Sequence, residues 1–111
     1  MKVTYLSSAA ILVETDGAKL LCDPWLVDGA FYGSWCHYPP LDAEPEDFDD
    51  VDGIYISHIH PDHFDPATLR RMNTDVPVYV HDYRWDWLRD EIAELGFDVT
   101  ELAHGDRTHV A

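Results

Sequence analysis

Basic residues are scarce in this chain. Only 7 Lys and Arg stand against 22 Asp and Glu over 111 residues, a net charge of −15, and lysine occurs only at Lys2 and Lys19. A phosphate backbone needs a basic stripe to bind it, so nucleic acid is not an expected partner. Long apolar runs are missing too: none approaches the ~18 residues of a membrane span, and no membrane partner is expected. Cysteine is limited to Cys22 and Cys36, with no Cys-x-x-Cys and no Cys-x-His spacing. That argues against an iron–sulfur or Rieske centre in these residues and for reduced thiols, with Cys22 as core packing. Nothing after Met1 has the form of a signal peptide, so a cytoplasmic location is expected. The acidity has two readings, adaptation to high salt or an ordinary acidic protein.

What is present is enough to fold. Apolar residues make up 46% and aromatics 13%, sufficient for one domain over 1–111. Residues 3–6 and 10–14 read as strands, and Asp16-Gly17 is a tight turn that returns the chain through a third strand at 19–22. Asp23-Pro24 stops that strand, because proline cannot donate to a ladder. Residues 24–50 carry no period but hold Trp25, Phe31, Tyr32, Trp35 and Tyr38, as a functional or packed surface loop does. A largely apolar strand is expected at 54–57, suited to a parallel sheet buried on both faces. Asp65-Pro66 reads as an N-cap with proline at the first helical position, opening a short helix to about residue 72. A strand at 76–80, an amphipathic helix at 84–95 (Trp85, Leu88, Ile92, Leu95), a C-cap at Gly96 and a strand at 99–102 complete the order. The pattern βββ then βαβαβ predicts an α/β fold with a mixed sheet.

The chemistry concentrates in Ser57-His58-Ile59-His60-Pro61-Asp62-His63-Phe64-Asp65. Four borderline-hard donors, His58, His60, Asp62 and His63, follow a strand end, where α/β folds place their ligands. His58 and His60 are two apart and project to one side in extended geometry. Pro61 turns the chain and brings Asp62 and His63 to the same cavity. Burying four such groups together without a metal is costly. Two pairs of ligands on one turn suit two metals a few Å apart that share a bridging hydroxide, a nucleophile at neutral pH. Zn²⁺ is the expected ion, with Fe²⁺ and Mn²⁺ as alternatives.

The His-x-His-x-Asp-His loop after a hydrophobic strand, preceded by a hairpin ending in Asp23-Pro24-Trp25-Leu26, resembles the metallo-β-lactamase superfamily. Ala30-Phe31, Trp35 and Pro39-Pro40 narrow the likeness to the branch of CMP-N-acetylneuraminate hydroxylase-like and ascorbate-6-phosphate lactonase-like proteins. The resemblance covers essentially the whole chain. It implies an αββα sandwich, of which this chain would be the amino-terminal half: a mixed sheet with helices on one face. By the same resemblance His58 and His60 match first-metal ligands, Asp62 and His63 match second-metal ligands, and Asp62 manages the proton as the catalytic residue. Metal-dependent hydrolysis of a small ester, lactone or phosphorylated or sugar-like substrate is then the expected activity. The superfamily's remaining ligands lie in its second half, and His104, Asp106 and His109 sit too early to match them. A half-domain that assembles with another copy or a complementary carboxyl-terminal half is the alternative, as is the non-Rieske component of a sugar-nucleotide hydroxylase.

Four further residues are candidates with two readings each. Asp65 either hydrogen-bonds a ligating imidazole or only caps the helix. His81, at the end of the fifth strand, either approaches the cavity or neighbours a helix cap. His37 and Trp35, in the aromatic loop, either touch substrate or serve the loop itself.

Overall fold

The computed structural model describes residues 1–110. Its amino-terminal third is an antiparallel meander of β1 (Lys2–Ser7), β2 (Ala10–Glu14) and β3 (Lys19–Cys22). Tyr5 faces Ile11, and Ile11 faces Cys22. The Asp16-Gly17 turn closes through the Thr15 N–H donating to the Ala18 carbonyl at 2.8 Å. From β3 onward the sheet is parallel: β4 (Gly53–Ile56), β5 (Val78–His81) and β6 (Val99–Leu102) add in sequence order, giving six strands in the order β1-β2-β3-β4-β5-β6. The mixed sheet expected from the βββ and βαβαβ pattern is therefore present. Asp52 clamps the start of β4 to β3, its carboxylate accepting from the Lys19 N–H at 2.8 Å.

The two faces of the sheet differ. Alternation in β3, β4 and β5 puts Leu21, Ile54, Ile56, Val78 and Val80 on one face, where all are essentially fully buried. Helices α1 (Pro66–Leu69) and α2 (Trp87–Glu94) cover that face, with Leu69, Leu88 and Ile92 in the same apolar cluster. Each such aliphatic side chain contributes roughly 1.5–3 kcal/mol on burial. The other face carries Val3, Tyr5, Ile11, Val13, Leu20, Tyr55 and Leu102, and Val3 and Tyr5 are 55% and 70% exposed. Residues after β6 lie against part of this face, with the Val110 side chain reaching Gly53. A β-carbon added at Gly53 would stand 2.8 Å from the Tyr79 ring and 3.0 Å from Val110, so only glycine fits there.

Boundaries differ from the sequence pattern at four points. Strand β4 ends at Ile56, which frees Ser57 for the site, and β5 begins only after Pro77. The second helix begins at Trp87 and not at residue 84, leaving Trp85 outside it and 73% exposed. The first helix makes one α-turn and then tightens, Met72 N–H bonding the Leu69 carbonyl at 3.1 Å.

Candidate metal centre

The site stands at the carboxyl ends of β3 and β4, which the parallel register Cys22–Tyr55 places side by side. Asp23 follows β3 with φ +46°, a left-handed conformation uncommon outside glycine but tolerated by aspartate. This turn aims the buried Asp23 carboxylate across to β4. There Oδ1 accepts from the Ser57 N–H at 2.7 Å and Oδ2 from the Ser57 hydroxyl at 2.9 Å. Oδ2 also lies 3.0 Å from His63 Nδ1, while Ser57 Oγ lies 2.8 Å from His58 Nδ1.

These contacts fix both tautomers. A carboxylate only accepts, so His63 donates from Nδ1; the Ser57 hydroxyl spends its single proton on Asp23, so His58 also donates from Nδ1. The Nε2 atoms of His58 and His63 are left with bare lone pairs, the form a metal ligand requires. Burial holds the His58 imidazole below the usual histidine range, and the neighbouring His63 and His60 rings push the same way, which keeps it neutral.

The free donors meet in pairs. His58 Nε2 is 3.2 Å from His60 Nδ1. Two nitrogens on one tetrahedral Zn²⁺, with bonds of ~2.0–2.1 Å, stand about 3.3 Å apart. His63 Nε2 is 3.7 Å from Asp62 Oδ1, too long for a hydrogen bond and in range for two ligands of a common ion. The His58 and His63 rings are 4.0 Å apart, so the two pairs adjoin. Among the described residues no three His, Cys, Asp or Glu side chains are placed to hold one ion. The four donors are thus brought together as two adjoining pairs.

The other candidates lie apart from this cluster. Asp65 Oδ2 accepts from the Thr68 N–H at 3.1 Å and the Thr68 hydroxyl at 2.6 Å, as a helix N-cap, and makes no bond to an imidazole. His81 packs edge-on against Tyr83, 4.9 Å between ring centres, and Tyr83 in turn donates its hydroxyl to the Ser57 carbonyl. The His37 side chain is only 3% exposed, with Nδ1 on Asp28 at 2.8 Å and Nε2 on the Trp25 carbonyl at 2.9 Å, so both nitrogens are engaged. Trp35 stacks on Phe31 at 5.1 Å. His104 and His109 are exposed near the carboxyl terminus. Two residues of the site, Asp23 and Ser57, escaped the sequence reading. Asp23 was legible as a strand terminator, and the usable signal was an acidic residue at the end of one of two adjacent parallel strands.

A cavity of about 480 Å³ opens beside His58, and a second of about 510 Å³ lies across Ile59 and Trp87, reaching Phe31 and Arg70.

The six-stranded mixed sheet thus carries paired donors at its carboxyl edge. The profile described as the beta-lactamase superfamily domain matches residues 2–111, and the chain belongs to that superfamily. It is 45% identical over 101 residues to a protein described as "Putative Rieske 2Fe-2S iron-sulfur protein" from Mycolicibacterium smegmatis, covering 87% of this chain and 19% of that one. It is 37% identical to the cytidine monophosphate-N-acetylneuraminic acid hydroxylase of Cricetulus griseus, covering 74% of this chain and 15% of that one. The chain therefore spans less than a fifth of the length of the curated relatives it matches. The crystal structure of isothiocyanate hydrolase from Delia radicum gut bacteria shares the fold, with a TM-score of 0.76 at 24% identity over 97% of this chain and 44% of that one.

Proposed function

We propose that this chain supplies the amino-terminal ligand set of a metal-dependent hydrolase, with His58 and His60 on one ion and Asp62 and His63 on a second. The observation that carries the proposal is the pair of donor separations, 3.2 and 3.7 Å, with the opposite nitrogens of His58 and His63 pinned by Ser57 and Asp23. A divalent ion, Zn²⁺ first and Fe²⁺ or Mn²⁺ as alternatives, supplies Lewis acidity and a water that ionises near neutral pH. The chain's own residues set the rest. Asp23 and Ser57 hold the imidazoles in register, and the partly exposed Asp62 carboxylate is the proton acceptor at the reacting edge. The substrate is a small ester, lactone or phosphorylated or sugar-like molecule. A complementary carboxyl-terminal half completes the ligands and covers the exposed sheet face around Val3 and Tyr5, since an apolar face of that extent needs a partner. Support for a complementary half comes from a solved neighbour, of which this chain matches 44%. Equilibrium dialysis against Zn²⁺ tests the centre: the wild-type chain is expected to load, and a His58→Ala, His60→Ala variant to take up less, keeping at most the ion at Asp62 and His63. Equal loading of the two would overturn the assignment.

The names of the relatives favour a second reading, the non-Rieske component of a hydroxylase fed by a separate iron–sulfur domain. Air-free loading that selects Fe²⁺ over Zn²⁺ would support it; indifference to iron would remove it.

A further inference from the structure

The cleft beside His58 differs chemically from the rest of this acidic surface. Its walls are Ile59, Tyr83, Trp85, Trp87 and Leu88, and its charged member is Arg84. Lys2, Lys19, Arg71 and Arg89 sit in ion pairs. Arg84 makes none among the described residues, as is also true of Arg70 and Arg107, but it is the one of these three that lines the cleft beside His58. The acids nearest to it in sequence on the helix side, Asp86 and Asp90, are taken by Arg89 at 3.1 and 3.0 Å. The Arg84 guanidinium instead lies over the Trp85 ring, 5.0 Å from its centre, an arrangement that holds the cation by the ring's negative face and leaves its donors open. Tyr83 fastens this wall to the metal loop through its hydroxyl bond to the Ser57 carbonyl. Ser57 is the residue that orients His58.

Resting on the metal-site reading above, we propose that this cleft is the subsite for the body of the substrate, and that it takes a flat apolar group bearing one anionic substituent. The flat group lies against Trp85 and Trp87, whose faces favour offset or edge contacts. The anion, a carboxylate, sulfate or phosphate, meets the open edge of Arg84. The scissile bond then projects toward His58, which also lines the cleft.

The test uses the whole chain, free of metal, with 2-naphthoate as probe and 2-naphthylmethylammonium as its cationic counterpart. Naphthoate is expected to shift the indole N–H signals of Trp85 and Trp87 and the ring signals of His58, and to bind about fivefold more tightly than the cation. Arg84→Gln is expected to erase that preference, and Trp85→Ala to weaken both probes about three- to tenfold. Equal affinity for the two probes, a preference that survives Arg84→Gln, or shifts confined to the sheet face around Tyr55 would each overturn the proposal. Zn²⁺ loading is measured in parallel. Naphthoate binding without Zn²⁺ loading would remove the hydrolase reading and leave the cleft standing, whereas loading without naphthoate binding would remove the cleft alone.

Discussion

His37 and His58 are histidines held in opposite ways. His37 is sealed beneath the aromatic loop, its ring 4.1 Å from that of Trp25, and both its nitrogens end on acceptors within the chain. His58 has one nitrogen fastened to Ser57, and the other faces a neighbouring donor across 3.2 Å. A ring with both nitrogens engaged is structure. A ring with one nitrogen fastened and the other facing only a second imidazole at the surface is a candidate ligand. The contrast lies in what the second nitrogen faces and in burial, His37 being buried and His58 half-buried, and not in local composition, since aromatic and acidic neighbours surround both residues.

The comparison can be broken by substitution. The largest effect is expected from His58→Ala, which should lower the chain's Zn²⁺ affinity by more than about 100-fold in competition with a chelating dye. Asp23→Asn should follow, with a loss of about 10–100-fold, because it keeps the fold but loses the carboxylate that orients His63 and Ser57. His37→Ala should leave Zn²⁺ affinity within about twofold and lower the unfolding free energy by ~2 kcal/mol in urea titration. A comparable loss of metal would erase the distinction between the two histidines. Asp65→Ala should cost ~1 kcal/mol of stability through the lost cap, with no change in metal binding. Weakened Zn²⁺ binding in that variant would restore Asp65 to the site.

The smallest effect is chemical. Burial pushes the Cys22 thiol up to about 11, with the Asp23 carboxylate acting in the same direction. Thiolate is the reactive form, so at pH 8 iodoacetamide should modify the exposed Cys36 well before Cys22, as peptide mass mapping would show. Cys22 should become competitive only as the pH approaches that value.

Much of the fold was legible because it rests on local rules. The Asp16-Gly17 turn, the Asp65-Pro66 cap and the two-residue alternation of β4 and β5 are each determined by a few neighbouring residues. The amphipathic spacing from residue 84 extended the second helix too far, since Trp85 fits the period but sits in the loop that walls the cleft. The candidate donors were legible as well, four of them lying within six consecutive positions. Asp23 and Ser57 were not, because their role depends on contact between two strands 34 residues apart.

By itself, then, the sequence determined the element order, the mixed character of the sheet and the donor types of the His-Asp loop, all of which follow from short-range periodicity and side-chain chemistry. Only the tertiary structure decided which ring nitrogens are free, that Asp65 caps a helix, that His37 is fully engaged, and that an unpaired Arg84 stands beside His58. Those facts depend on distances between residues far apart in the chain, and no local pattern encodes such distances.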